Sequence, residues 1–320
     1  MNSIILAGGY ATRLWPITKD KAKPLLPLGG KPILSYILDE LERVEEMNKI
    51  YITTNERFEN SFKDYLRDRN QNLYDLIIEG QESEEEKLGA IGGIMNALEK
   101  AENTDYLVIG GDNYYSFKIQ DFLNFAREEG NIVNACFEVE SFEEAKNYGI
   151  VDFDENKKIR DFQEKPEEPK SRMASTAFYY FPKEINKIFE AYTEYWDGRI
   201  SKDKYLDEPG RFLAWTSDRY DCYAYPFTGI WADVGTRQGY LRAERNIREN
   251  NIVMGELEDS KIGENVTILK DTKIKNSEIE NSIVNENCNI EDSVIKGSIV
   301  GEDTKIKGLD LRNGLVKRAK

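Results

Sequence analysis

Residues 261–306 read KIGENVTILKDTKIKNSEIENSIVNENCNIEDSVIKGSIVGEDTKI. Branched apolar residues return at Ile262, Ile268, Ile274, Ile279, Val284, Ile290, Ile295, Val300 and Ile306, at intervals of six, six, five, five, six, five, five and six. A flat strand would need even intervals throughout, and a helix would place its apolar residues three and four apart. Short strands of a β-helix, each giving one inward side chain to a triangular coil, satisfy fives and sixes together. Nine such positions make about three coils. Gly263, Gly297 and Gly301, with Asn265, Asn276, Asn281, Asn285 and Asn287, supply residues that tolerate tight corners.

The composition changes where this pattern begins. Residues 251–320 hold no aromatic and no proline, so all 36 aromatics (14 Phe, 4 Trp and 18 Tyr) precede them. The chain therefore reads as two domains, 1–250 and 251–320, in keeping with roughly 150 residues per domain. Up to about residue 135, short apolar runs alternate with amphipathic stretches. Ser3 to Ala7, Lys49 to Thr53, Leu76 to Glu79 and Tyr106 to Ile109 read as buried parallel strands. Ile33 to Val44, Arg57 to Asp68, Ile91 to Glu99 and Ile119 to Glu128 read as the helices between them, a doubly wound α/β order. From Ile132 to Phe181 strand and turn signals dominate, which predicts an antiparallel insertion, and Arg237 to Arg248 reads as a closing helix.

With 44 basic and 59 acidic residues the formal charge is -15, which disfavours nucleic acid and anionic membrane as partners. The chain has no histidine, which excludes imidazole bases, Ser-His and Cys-His nucleophiles and His-containing zinc sites. Cys136, Cys222 and Cys288 are scattered and odd in number, unlike a disulfide framework. No leader pattern opens the sequence, and no apolar run approaches the ~18 residues of a membrane helix, so a cytoplasmic protein is expected.

Chemistry must then come from carboxylates, cations and backbone. The first strand runs into Gly8-Gly9-Tyr10-Ala11-Thr12-Arg13, where glycines admit phosphate oxygens to the backbone and Arg13 adds a fork of donors. Lys23 abuts the proline-bracketed segment Pro24-Leu25-Leu26-Pro27, which would fix it near Arg13, whereas Lys19 and Lys21 read as a solvated face. Asp112, at the end of an apolar strand in Gly110-Gly111-Asp112-Asn113, and Asp233, in Trp231-Ala232-Asp233-Val234-Gly235, have the setting of Mg²⁺ ligands that share the ion with phosphate.

Six separated motifs, in this order, resemble the sugar-1-phosphate nucleotidylyltransferase family over nearly the whole chain. They are the opening glycine loop, Lys23-Pro24-Leu25-Leu26-Pro27, Gly29-Gly30-Lys31-Pro32, Gly111-Asp112-Asn113, Glu164-Lys165-Pro166 and Trp231 to Thr236. The resemblance is nearest to glucose-1-phosphate thymidylyltransferases and uridylyltransferases. It implies a Rossmann-like nucleotidyltransferase domain with a mixed, mainly parallel sheet, followed by a C-terminal left-handed β-helix. It implies that Leu6, Gly8, Gly9, Thr12, Arg13, Gln81, Gly89 and Asp112 contact the nucleotide, and that Arg13 and Lys23 are catalytic. By the same resemblance Gly149, Glu164, Lys165 and Tyr179 would receive the sugar phosphate, while Asp112 and Asp233 hold Mg²⁺. The implied reaction joins a nucleotidyl group from dTTP or UTP to a hexose-1-phosphate, most simply glucose-1-phosphate, and releases pyrophosphate. The alternative is a non-catalytic regulatory subunit that binds nucleotide sugar. Three positions depart from the family: Ala11 and Ala177 replace usual glycines, and Gln81 is followed by Glu82-Ser83-Glu84-Glu85-Glu86. The tail is expected to mediate homo-oligomer contacts and to contribute little to the chemistry, since each proposed catalytic residue precedes it.

Overall fold

The structure is a computed structural model that describes residues 1–80 and 88–317. It forms two compact units, one of residues 1–9, 38–111 and 116–229, the other of residues 10–37, 112–115 and 230–320.

The first unit is built on strands β1 (Asn2–Leu6), β2 (Lys49–Asn55), β3 (Tyr74–Glu79) and β4 (Tyr106–Gly110). They lie parallel in the order β4-β1-β2-β3. Ile4 and Ile5 are wholly buried, as expected for a central parallel strand. Next come β5 (Ile132–Glu138), β6 (Gly149–Phe153), β7 (Ile159–Glu164), β8 (Met173–Phe181) and β9 (Cys222–Phe227). The long β8 runs antiparallel to β4, β5 and β6, β7 pairs antiparallel with β6, and β9 returns parallel to β5. The sheet is thus mixed, and the antiparallel section begins where the sequence predicts it.

The four expected helices are present as α1 (Ile33–Leu41), α2 (Glu59–Leu66), α3 (Gly89–Lys100) and α4 (Ile119–Glu129). Gly130, at φ 64°, ends α4 in the left-handed conformation that glycine adopts without steric cost. Three further helices, α5 (Ile185–Trp196), α6 (Lys202–Asp207) and α7 (Pro209–Ser217), lie where sequence periodicity assigned nothing. Their Phe189, Tyr192, Phe212 and Trp215 pack ring on ring inside the unit.

The second unit ends in the coil. Helix α8 (Arg237–Asn246), capped by the Thr236 hydroxyl on Gly239 N–H, precedes it. Three parallel sheets follow. One has strands 252–253, 266–268, 282–284, 299–300 and 315–316; the others run from 256–258 to 305–307 and from 261–262 to 310–312. Successive strands pair about 16 residues apart, Thr267 on Ile283 and Ile283 on Ile299, consistent with a left-handed β-helix. It is longer than the expected three coils, because Leu309, Leu311 and Val316 extend the inner stack past Ile306 and strands 252–253 and 256–258 precede Ile262. The nine predicted positions all belong to this stack.

The corners are only partly those expected. Asn265, Asn276, Asn281, Asn287 and Gly297 do take positive φ, joined by Asp259, Asp271, Asp292 and Asp303. Asn285 is instead buried, its amide donating to Val300 carbonyl.

Two coil sheets face outward with charge, in cross-strand pairs such as Lys273–Glu256 and Lys296–Glu278. The third does not. Its Ile283 and Ile299 share a core with Leu14, Ile17, Leu26, Leu28 and Ile33 from the start of the unit and with Val234, Tyr240 and Leu241. Contacts therefore group the coil with residues 10–37, whereas composition changes at 251. No helix among the described residues is long and apolar enough to cross a membrane.

Candidate active site

The segment after the first strand folds as three short 3-10 turns, Thr12–Leu14, Ile17–Lys19 and Lys23–Leu25. Ala11 sits at φ 49°, ψ 45°, a left-handed conformation that costs an ordinary L-residue about 1–2 kcal/mol. The Thr18 hydroxyl donates to its carbonyl at 2.8 Å and holds it there. Pro24 stiffens the third turn, which closes with Leu26 N–H on Lys23 carbonyl, and the Lys23 side chain is nine-tenths buried. Arg13 is exposed on the first turn and makes no ion pair among the described residues.

Lys23 does not stand beside the aspartates but joins them. Its Nζ lies 2.6 Å from Asp112 Oδ2 and 3.4 Å from Asp233 Oδ1. Asp112 and Asp233 are brought within reach of one nitrogen by the antiparallel pair Asn113–Tyr115 and Trp231–Asp233, in which Asp233 is opposite Asn113. Asn113 donates to Asp112 Oδ1 at 2.7 Å and accepts from Trp231 Nε1 at 2.9 Å, so one amide fixes both strands. Burial works against the Lys23 charge, yet Asp112 and Asp233 outweigh it and hold the ammonium above the ordinary lysine range. Asp112 is held below the usual carboxylate range: burial would raise it, but the Lys23 charge prevails.

Lys21 departs from the solvated role given to it. Its Nζ pairs with Glu302 Oε2 of the coil at 2.9 Å, and Lys317 reaches both Glu302 and Asp20. Glu244, almost fully buried, accepts from Gly29 N–H at 2.8 Å and from the Thr267 hydroxyl, tying the Gly29-Gly30 turn to the first coils.

In the first unit, Leu6 ends β1, and Asn55 Nδ2 donates to Gly8 carbonyl at 2.9 Å. A Cβ at Gly8 would press on the Glu79 carboxyl at 2.9–3.2 Å, whereas one at Gly9 would meet nothing within 4 Å. Glu79 is buried and its pKa is pushed up by burial. The sequence reading passed over it, although an acid closing an apolar strand was the available signal. Gly89 needs its glycine for two structural reasons, φ 77° and a Cβ that would fall 2.5 Å from Leu206 carbonyl. Gln81 lies outside the described residues, as does the acidic run after it.

Glu164 and Gly149 sit opposite each other where β7 and β6 pair. A Cβ on Gly149 would strike the Phe162 ring, and one on Gly210 of α7 would fall 1.7 Å from Glu164 Oε2. Gly210 was not foreseen, because nothing local in a helix start announces a carboxylate arriving from a strand. Burial, with Glu208 adding to it, raises the Glu164 pKa, and Lys165, 3.6 Å away, only partly offsets this. Lys165 is exposed at φ 43°. Tyr179 is buried in the core, its ring stacked on Phe181, and burial pushes its phenol up.

Residues 2–250 match the family described as Nucleotidyl transferase. The chain is 29% identical over 296 residues to a Sulfolobus acidocaldarius protein named as a mannose-1-phosphate guanyltransferase, covering 87% of this chain and 75% of that protein. It is 29% identical over 329 residues to the glucose-1-phosphate adenylyltransferase of Clostridioides difficile, covering 96% and 83%. A Bacillus anthracis structure described as a glucose-1-phosphate thymidylyltransferase with bound sucrose superposes with a TM-score of 0.64 at 24% identity, over 76% of this chain and 94% of that one. That likeness speaks for the fold.

Proposed function

From the premise that this chain belongs to the nucleotidyl transferase family, shown by the match over residues 2–250, we propose that it moves a nucleotidyl group from dTTP or UTP to glucose-1-phosphate. That it is a sugar-1-phosphate nucleotidyltransferase rests on the family and on relatives named for guanyl and adenylyl transfer. The pyrimidine and the glucose rest on the motif resemblance.

The observation that carries the reading is Lys23 Nζ held between Asp112 and Asp233. Two carboxylates converging on one cation form a donor set that fits Mg²⁺, with the lysine ammonium standing where positive charge belongs. Bound there, Mg²⁺ would neutralise phosphate charge and orient the triphosphate. Lys23 and Arg13 would bind the polyphosphate and stabilise the charge that spreads over it in the transition state. The Gly8 and Gly9 amides would offer donors to phosphate oxygens. Glu164 would accept sugar hydroxyls, with Lys165 drawing in the sugar phosphate. The attacking phosphate oxygen is already anionic, so a chain without histidine lacks nothing it needs. It attacks the α-phosphorus in line, and pyrophosphate leaves.

Self-association through the coil belongs to the same reading. Two coil sheets carry charge ladders, and among the described residues the exposed large apolar side chains of the coil are Val253, Met254 and Leu257, each exposed by two-fifths or more. A second copy would cover them, and Met254→Glu should then lower the mass seen by light scattering.

The test is pyrophosphate release across a matrix of dTTP, UTP, ATP and GTP with hexose-1-phosphates, with and without Mg²⁺. Turnover led by a pyrimidine triphosphate and glucose-1-phosphate is expected. Turnover led by ATP or GTP would reassign the nucleotide, and no release with any pair would return the chain to the regulatory alternative.

A further inference from the structure

We infer that Lys23 is a resident counter-ion that keeps divalent metal off Asp112 and Asp233 until a triphosphate arrives. The inference rests on reading those two aspartates as the metal pair.

Both carboxylates reach the same nitrogen, at 2.6 and 3.4 Å, and both are about one-third exposed. Like charges this close need a cation or a proton to remain together. The chain supplies the cation itself. The Lys23 backbone is locked in a proline-stiffened turn and its stem is buried, so the ammonium stays tethered at the pair and any free metal ion must compete with it. The pair also has little with which to win that contest. Among the described residues no third Asp, Glu or Cys joins these two in a cluster able to hold a metal. Two carboxylates are few ligands for a divalent ion, which completes its shell with water and phosphate oxygens.

A triphosphate alters both sides of this balance. Its oxygens, arriving beside the pair, give the Lys23 ammonium new anionic partners without the buried stem having to leave its place. They also bring the metal the ligands that the protein lacks. The exchange never leaves the aspartates without a cation: lysine passes from carboxylate to phosphate as they receive the divalent ion, whose two charges match theirs where the single ammonium did not. Lys23 would thus couple metal entry to nucleotide entry, a role distinct from its part in transition-state stabilisation.

The experiment is Mn²⁺ binding to the full chain without sugar phosphate, followed by electron paramagnetic resonance and calorimetry. Wild-type protein should take up Mn²⁺ weakly alone and strongly with an unreactive α,β-methylene analogue of dTTP. Lys23→Met should bind Mn²⁺ without nucleotide about ten-fold more tightly than wild type, the scale of losing one competing charge at a partly open site. Lys23→Gln repeats the measurement should Lys23→Met not fold. Lys21→Met removes the same charge elsewhere and should leave Mn²⁺ binding unchanged. Equal affinities in wild type and Lys23→Met, with strong uptake alongside the analogue, would overturn the counter-ion role and leave the metal pair standing. No uptake in any protein, even with the analogue, would remove the metal pair and the inference with it. A Lys21→Met gain equal to that of Lys23→Met would assign the effect to overall charge and overturn the inference.

Discussion

The Lys23 cluster and the Glu164 cluster are both carboxylate sites, yet they are built in opposite ways. At the first, three residues from distant stretches, 23, 112 and 233, converge with one ammonium between two carboxylates; a lysine at 2.6 Å holds Asp112 ionised, whereas burial pushes the Asp233 carboxyl up. At the second, one carboxylate is pressed between two glycines on a strand end and a helix start, its lysine neighbour is 3.6 Å off, and burial raises its pKa. Opposite charges brought together, with the carboxylates in excess, prepare a site for cations and phosphates. A half-buried carboxylate whose charged form burial disfavours prepares one for hydroxyl groups, which donate hydrogen bonds and bring no charge. The support differs too. The first cluster leans on the coil through Ile283 and Ile299, while α7 packs against the second.

Truncation after Asn250 should break this comparison most severely. It removes Ile283, Ile299 and Leu315 from around Leu14, Ile17 and Leu26, and each buried aliphatic side chain is worth about 1.5–3 kcal/mol. A lower unfolding temperature and lost turnover are expected, where the sequence alone predicts a tail that contributes little to the chemistry and a truncated chain that keeps some turnover. A truncated chain with wild-type turnover would show that the first cluster needs no coil.

Lys23→Ala comes next, with turnover lowered about 10² to 10³-fold, as for removal of one preorganised donor of charge stabilisation. Steady-state kinetics with saturating substrates check this. Gly210→Ala should spare the KM for the triphosphate and raise that for the sugar phosphate by up to about 10²-fold, because its Cβ would displace Glu164 by an ångström or more. Equal effects on both substrates would end the division of labour between the clusters.

In metal-free protein, acid should act on Asp112 and Glu164 in opposite senses. Asp112 titrates below its ordinary 3.8, so its stabilising contribution is present above that value and is lost as pH falls through the folded pKa. Glu164 titrates above its ordinary 4.5, so its contribution is present below that value and is lost as pH rises through the folded pKa. On acidification Glu164 should take its proton first and Asp112 last, which carboxyl-carbon NMR would read; the reverse order would contradict the contrast. The smallest effect is Lys21→Ala. The pair with Glu302 is about three-tenths exposed, so a loss of about 0.2–1 kcal/mol in a denaturant titration is expected.

The coil was the most legible part of the molecule, and the structure shows how its rhythm arises. Left-handed residues recur at Asp259, Asn265, Asp271, Asn276, Asn281, Asn287, Asp292, Gly297 and Asp303, each three positions before an inward Ile or Val. Corner and core therefore share one alternation of fives and sixes. The aspartates were missed as corners because an acid on a charged surface carries no mark of its φ. The outward Ile283 and Ile299 were missed for a related reason. They sit beside Val284 and Val300, and alternation cannot say that a second face is covered as well. At the candidate site, residue types and order singled out Lys23, Asp112 and Asp233 individually, but not the ammonium between the carboxylates, nor Glu79 under Gly8, nor Gly210 against Glu164.

By itself the sequence determined the α/β order of the first half, the coil and the family, because periodicity and turn chemistry are local and each motif carries its own spacing. Tertiary structure alone decided which charges meet, which glycines keep a carboxylate in place and which coil face is buried. Those depend on side chains up to 281 residues apart, as Lys21 is from Glu302, arriving at one point, and no local pattern encodes that convergence.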